Sequence, residues 1–486
     1  MVTVLACDLG ASNGRLTAQM FDGQKITLEE IYRFSNEPLK KGKHFYWDFE
    51  HLLNEVTTGI EKSKQLKPST FGIDTWGVDF GMINKREQLI QLPFCYRDEH
   101  TLPHVEKAKK MMDPFQLYEM SGNEISSINT MYQLMAIQES YPHLLEESKS
   151  ILMMPSLFIH ALTGAHVNEY TISSTTQLLN SKTGNWNKQL IETIFGRTLS
   201  LAPIKKTHEL VGPLKNNPSI QIALVPGHDT ACALSALPIS KKGSAFISLG
   251  TWGLVGVERE KPVITIEAFK GGYTNEGTSE GETRFQKNAT GYWILQQLRK
   301  QWGKDGSELS FEHEQQLFDQ ATPFRSLINV DDPSFFNPDS MEDAIQSYCK
   351  ETGQLVPETK GQFLRCFNES IALYYANIIE EIEKLTNETL EEIYIGGGGA
   401  KNTMLCQLIA NATNKIVIAG PYEASSIGNG LSQLRALKEI SSCAEGRMIV
   451  RASFPVKNYE PKDIEIWQEK KHYIQTITGV SVNELF

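Results

Sequence analysis

Cysteine pairs at metal or redox spacing are missing from this chain. Its seven cysteines, Cys7, Cys95, Cys232, Cys349, Cys366, Cys406 and Cys443, are scattered with no C-x-x-C among them, which suits reduced thiols and gives no zinc ribbon. Positive charge is also short. With 47 Lys and Arg against 58 Asp and Glu the net charge is −11, so nothing is in excess to neutralise phosphates, and no nucleic-acid partner is expected. No apolar run is long enough to span a bilayer. The short apolar start before Asp8 lacks a basic leader and a cleavage site, so no membrane partner is expected and the cytoplasm is the default compartment.

Several motifs are absent too. There is no G-x-x-x-x-G-K-[ST], which excludes a P-loop ATPase, and no H-E-x-x-H or EF-hand loop. The run Gly396-Gly397-Gly398-Gly399 fails G-x-G-x-x-G because the third glycine position falls on Lys401 or Asn402, so a dinucleotide fold is disfavoured. Gly277-Thr278-Ser279-Glu280-Gly281 matches G-x-S-x-G in form only. It reads as part of a polar loop over 274–283 with no buried strand leading in, so a hydrolase elbow is set aside.

What is present is a chain of 486 residues, 40% hydrophobic, able to bury large cores in about two to four domains. Near its middle, the apolar run Gln221-Ile222-Ala223-Leu224-Val225 reads as a buried strand that Pro226 and Gly227 break, leaving His228, Asp229 and Thr230 at its end. Open α/β sheets place ligands there. Asp229 in that position fits a catalytic base, and it also fits an N-cap opening the helix that Ala231-Cys232-Ala233-Leu234 would form. At the N-terminus a strand over 2–7 runs into Asp8-Leu9-Gly10-Ala11-Ser12-Asn13-Gly14-Arg15, a turn inside a meander with two further strands. Its glycines allow close backbone approach to an anion, and Ser12, Asn13 and Arg15 add donors; an ordinary β-turn fits as well.

A helix is predicted over 48–64, then a strand ending in Asp74-Thr75-Trp76-Gly77. Trp76 and the Gly77 backbone could face a sugar, although core packing is the commoner fate of tryptophan. Residues 102–195 read as a helical insertion. After Pro238-Ile-Ser-Lys-Lys-Gly243, a candidate boundary, Ser248-Leu249-Gly250-Thr251-Trp252 lies between two strands and echoes the first turn, as though the chain started the same domain twice. The glycine run sits between a strand over 393–395 and a helix, where a flat adenine or ribose could pack on bare backbone.

Five of these blocks, Asp8 to Arg15, Gly72-Ile-Asp-Thr-Trp-Gly-Val-Asp-Phe80, Gly227-His-Asp-Thr230, Ser248 to Trp252 and Gly420-Pro-Tyr-Glu-Ala-Ser-Ser-Ile-Gly428, together resemble the FGGY family of carbohydrate kinases. They fall in the family's order over residues 4–455. The resemblance implies an α/β fold of two related actin/hexokinase-like (ribonuclease H-like) domains, with mixed sheets flanked by helices and an active site in the cleft between them. Residues 1–238 would be a sugar-binding domain. Residues 239–486 would be a nucleotide-binding domain whose last helix could pack back on the first. Within the family it points to transfer of the ATP γ-phosphoryl group to O1 of L-rhamnulose, in L-rhamnose breakdown, with Asp229 as general base and Mg²⁺ on the phosphates. Ala11, Ser12, Asn13, Gly14 and Arg15 would form the first phosphate loop, with Asp8 and Asp229 toward the metal. Thr251 would belong to the second phosphate loop, and Asn288, Gln296 and Gly398 to the nucleotide site. Gly77, His228, Asp229 and Thr230 would hold the sugar. Asn13 stands where many relatives carry serine, which leaves the donor chemistry intact. The expected partners are therefore the small molecules L-rhamnulose and ATP, bound by a monomer or weak homo-oligomer that closes to exclude water. The runners-up are a kinase of L-fuculose, L-ribulose or L-xylulose and, from another class, an ATPase of the actin or chaperone type.

Overall fold

A computed structural model describes residues 1–304 and 309–478, and they divide into two compact units. The first comprises Met1–Ser240, Glu258–Phe285 and Glu423–Phe454. Its main sheet has strands β1 (Val2–Leu9), β2 (Asn13–Phe21), β3 (Ile26–Ser35), β4 (Thr70–Thr75), β5 (Leu210–Leu214) and β6 (Asn217–Ala223), in the order β5-β6-β4-β1-β2-β3. The meander β1-β2-β3 is antiparallel, whereas β4 runs parallel to both β1 and β6. β1 is a central strand, and Val4 to Cys7 are fully buried, as both faces of a helix-covered sheet require.

The helix Phe49–Lys62 forms as its spacing predicts. Asp48 caps it by accepting from the His51 N–H at 3.2 Å, and Phe49, Leu52, Val56 and Ile60 turn one face into the core. Burying each such side chain contributes about 1.5–3 kcal/mol. The insertion is largely helical and carries its own core, built on Leu117, Met131, Tyr132, Leu134 and Ile194. The helices Asp229–Ala236 and Ala424–Ala436 pack together so closely that a Cβ on Gly428 would lie 1.8 Å from the Cys232 carbonyl oxygen. Only glycine fits that crossing.

The second unit comprises Lys241–Val257, Gln286–Tyr422 and the described residues from Pro455 on. Its strands lie in a seven-stranded sheet that starts at Tyr273–Gly277 and continues β9-β8-β7-β10-β11-β12, from β7 (Ser244–Leu249), β8 (Trp252–Arg259), β9 (Thr283–Thr290), β10 (Glu392–Gly396), β11 (Ile416–Ala419) and β12 (Lys457–Tyr459). β7 is antiparallel to β8 and parallel to β10, β10 is parallel to β11, and β11 is antiparallel to β12. The run β2-β1-β4-β6-β5 of the first unit has the same pattern of senses as β8-β7-β10-β11-β12. The short echo between the two turns thus marks two sheets of one design. The 27-residue helix Lys360–Thr386 opens on a capping box of Thr359 and Gln362 and buries Phe363, Phe367, Ile371, Ile378 and Ile382.

Four expectations need correction. The chain does break between Ser240 and Lys241, close to the expected boundary, but two later segments return to the first unit, so 1–238 and 239–486 are not the two units. The Ala424–Ala436 helix returns because it packs on β1 and on Asp229–Ala236. The last helix, Ile464–Thr478, packs instead on Lys360–Thr386 and Thr403–Thr413 within the second unit. Residues 479–486 of the expected domain lie outside the described ones. The loop read over 274–283 is a hairpin, because Tyr273–Gly277 is a buried strand leading in. What the formal G-x-S-x-G lacks is a helix after it. Lastly, Asp229 is not an N-cap: His228 holds that position and Asp229 is the first helical residue.

Candidate active site

Parallel register assembles the first half of the site. β1 and β4 place Asp8 beside Asp74 and Leu9 beside Thr75, and a parallel bridge sets Thr75 beside His228. Three strand ends therefore deliver Asp8, Asp74 and Asp229 to one edge of the first unit's sheet. Asp74 is fully buried; its Oδ2 accepts from Asn429 Nδ2 at 2.7 Å, while its Oδ1 has no partner among the described residues. Burial and then the Asp8 charge push the Asp74 carboxyl well up. Asp8 is pushed up by burial as well, against the pull of Arg15, whose Nη2 lies 2.8 Å from Asp8 Oδ2. Arg15 also pairs with Glu423.

Local chemistry holds the Asp229 segment. Glu169, buried in the insertion, accepts from the N–H groups of Thr171, Ile172 and Gly227, the last at 2.7 Å. The Thr75 N–H donates to the Gly227 carbonyl at 2.9 Å. With Gly227 held on both sides, Asp229 Oδ1 accepts from the Thr230 N–H at 2.6 Å and the Thr230 hydroxyl at 3.2 Å. His228 Nε2 lies 3.4 Å from the same oxygen. Asp229 Oδ2 has no hydrogen bond among the described residues, and the side chain keeps 31% exposure.

Gly77 joins this group: a Cβ there would sit 3.4 Å from His228 Nε2. Trp76 does not. It is 5% exposed, lies 4.2 Å from Trp47 ring to ring, and donates its indole N–H to Asp79 at 2.9 Å. Asp79 also accepts from Trp47, Gln133 and Tyr96, so the tryptophan is tied into the core. In the first turn, Gly10 N–H donates to the Asn13 carbonyl, Asn36 clamps Gly10 and Ser12, and Ala11 is half-buried, while Ser12 and Asn13 stay exposed. Gly14 is needed because a Cβ would strike the Phe34 ring.

The second unit gathers the other residues. Thr251, in the turn between β7 and β8, accepts from Gln296 Nε2 at 3.2 Å, and Asn288 lies exposed on β9. The glycine run separates by cause. Gly397 has φ +71°, and a Cβ on Gly399 would lie 2.4 Å from Leu249 Cβ, but a Cβ on exposed Gly398 would meet nothing. Nothing among the described residues crowds a Cβ at 398.

The sequence reading missed Asp74 as a site residue, and with it Glu169, Glu276 and Arg284. Asp74 carries a signal, since it ends a second strand as Asp8 ends the first. Glu169 carries none beyond lying in a polar interruption of the insertion. Two further groups could hold an ion by geometry, His44 with Asp98 and His100, and Glu87 with His160 and His166. Asp98 already accepts from the N–H groups of Phe45 and His100, and Glu87 pairs with Lys149. Neither group includes a residue of the site.

The whole fold is shared with solved sugar kinases. A ligand-bound xylulose kinase from Lactobacillus acidophilus superposes with a TM-score of 0.79 at 14% identity, covering all of both chains. Plasmodium falciparum glycerol kinase with ADP gives 0.79 at 15% identity, over 99% of this chain and 98% of that one. The fold is thus of the actin/hexokinase-like sugar-kinase class. The model for the FGGY family of carbohydrate kinases matches with its N-terminal domain at residues 3–232 and its C-terminal domain at 245–437, and this chain belongs to that family. Among its relatives, the rhamnulokinase of Bacteroides thetaiotaomicron is 38% identical over 471 residues, 95% of this chain and 96% of that protein. The rhamnulokinases of Bacillus subtilis and Lactiplantibacillus plantarum are 37% and 32% identical, over 95% and 99% of this chain. Among the described residues no helix is long and apolar enough to cross a membrane.

Proposed function

We propose that this kinase transfers the γ-phosphoryl group of ATP to O1 of L-rhamnulose, giving L-rhamnulose 1-phosphate and ADP, with Asp229 as the general base. The observation that carries the base assignment is the division of labour on one carboxylate: Oδ1 is held by Thr230 with His228 beside it, and Oδ2 is open. As the hydroxyl oxygen bonds to phosphorus and the bridging oxygen leaves with ADP, the hydroxyl proton passes to Oδ2. Help of this kind accounts for about 10² to 10⁴ in rate, with orientation supplying much of the rest.

His228, Thr230 and the Gly77 backbone orient the ketose around that oxygen. Thr251, Gln296 and Asn288 bind the nucleotide, and bare Gly398 leaves room for its flat ring or ribose. The loop from Ala11 to Arg15 offers donors to phosphate oxygens. A divalent cation fits the chemistry of the first unit, where the charge of Asp229 adds to the cost of ionising Asp8 and Asp74, with Arg15 as a counter-charge. Asp8, with Asp229, would hold Mg²⁺ through its water shell, and the ion would neutralise charge on the transferred phosphoryl group.

The choice of L-rhamnulose rests on relatives of that name along nearly the full chain. An ADP-release assay over L-rhamnulose, L-fuculose, L-ribulose and L-xylulose tests it. The highest kcat/KM is expected for L-rhamnulose; a higher value for another ketose reassigns the substrate.

A further inference from the structure

Behind His228 lies an ion pair that the reaction chemistry above does not use. Arg284, at the start of β9, is 0% exposed, and its neighbour across the hairpin, Glu276, is 11% exposed. Arg284 Nη2 pairs with Glu276 Oε2 and also reaches His228 Nδ1. Glu276 Oε2 lies 3.3 Å from that same Nδ1. The other guanidinium nitrogens, Nε and Nη1, are buried without a partner among the described residues, where the pairings of this cation run through Nη2.

A guanidinium only donates, and it stays charged at any pH a protein tolerates. Its Nη2 carries two hydrogens, one for Glu276 Oε2 and one for His228 Nδ1. An Nδ1 that accepts such a hydrogen carries none itself. The neutral ring must then hold its proton on Nε2, the nitrogen that lies 3.4 Å from Asp229 Oδ1 and beside Gly77. Without Arg284 the opposite tautomer would be favoured, since Glu276 would draw a proton to Nδ1 and leave Nε2 a bare acceptor facing a carboxylate.

We propose that Arg284, with Glu276 as its counter-ion, is a positioning residue that locks His228 in the Nε2–H tautomer, so that the ring always presents a donor to Asp229 and the ketose. The ketose part rests on the function proposed above, whereas the lock does not. A buried pair fits such a role better than a stabilising one, because desolvation offsets most of the attraction between buried charges.

The test reads the tautomer directly, without sugar or nucleotide. Long-range ¹H–¹⁵N correlation spectra of the full chain labelled at its 11 histidines, with His228 assigned by its loss in His228→Asn, report which nitrogen is protonated in the neutral ring. The expected result is a fixed Nε2–H pattern in the wild type, replaced by a mixed or Nδ1–H pattern in Arg284→Met/Glu276→Leu, where the pair is removed together to avoid stranding one charge. An Nδ1–H or mixed pattern in the wild type overturns the lock, and so does a fixed Nε2–H pattern in a folded double variant. The wild-type spectrum decides even where the variant does not fold. In the folded variant kcat/KM for the ketose should fall about tenfold, the worth of one charge-assisted hydrogen bond. A changed tautomer with unchanged kcat/KM keeps the lock and removes His228 from the sugar site.

Discussion

At the scale of single residues, a carboxylate's surroundings matter more here than its presence in a motif. Asp74 lies at the end of β4 and Asp229 opens the helix that follows the neighbouring β6, yet one is sealed and bonded to Asn429 while the other keeps an open oxygen. Asp229→Asn is expected to lower kcat by about 10² to 10⁴ with ketose KM little changed, read in steady-state assays; a near-normal kcat removes the base assignment. Glu276 gives a pH effect. Burial alone would raise its carboxyl, but the Arg284 guanidinium beside it holds it at about 2. A depressed folded value means a contribution that is complete above the ordinary glutamate pKa of about 4.3 and is lost as pH falls from there toward 2. Acid unfolding of Glu276→Gln should therefore show a shallower dependence on pH in that window than wild type. An identical slope would mean the pair persists in the unfolded chain or carries no linkage.

Among the secondary elements, glycines report what is packed against them. Gly398→Val should leave the melting temperature unchanged and raise KM for ATP about tenfold, the equivalent of about 1.4 kcal/mol, because a Cβ at 398 has no described atom within 4 Å. Gly428→Ala should do the reverse, destabilising the fold by about 1–3 kcal/mol, since the helices Asp229–Ala236 and Ala424–Ala436 must separate to admit a methyl group. Calorimetry beside steady-state kinetics checks both variants. A Gly398→Val that melts early, or a Gly428→Ala with wild-type stability, contradicts the packing described. The sequence showed such elements well where periodicity was strong, as in Phe49–Lys62. It misjudged Tyr273–Gly277, whose buried Thr274 and Asn275 and half-buried Glu276 have partners on other elements.

For the whole molecule, two sheets share a run of five strands with one order and one pattern of senses, in the architecture of the sugar-kinase fold. If the chain works as proposed, ATP turnover should depend on the ketose. Hydrolysis without sugar should be at least about 10² slower, because water lacks the orientation a bound hydroxyl gains. Equal rates with and without ketose would favour an ATPase of the actin or chaperone type.

The sequence by itself determined the class of fold, the family, and which turns carry polar residues after buried strands. Those are local properties: hydrophobic period, strand-breaking glycine and proline, and short motifs in a fixed order. Only the tertiary structure decided that Trp76 belongs to the core through Asp79, that Glu169 from the insertion holds Gly227, and that Arg284 and Glu276 stand behind His228. Each of these depends on atoms from segments dozens of residues apart meeting in a buried place. There the geometry of donors and acceptors sets which proton sits where, and no pattern along the chain encodes that distance.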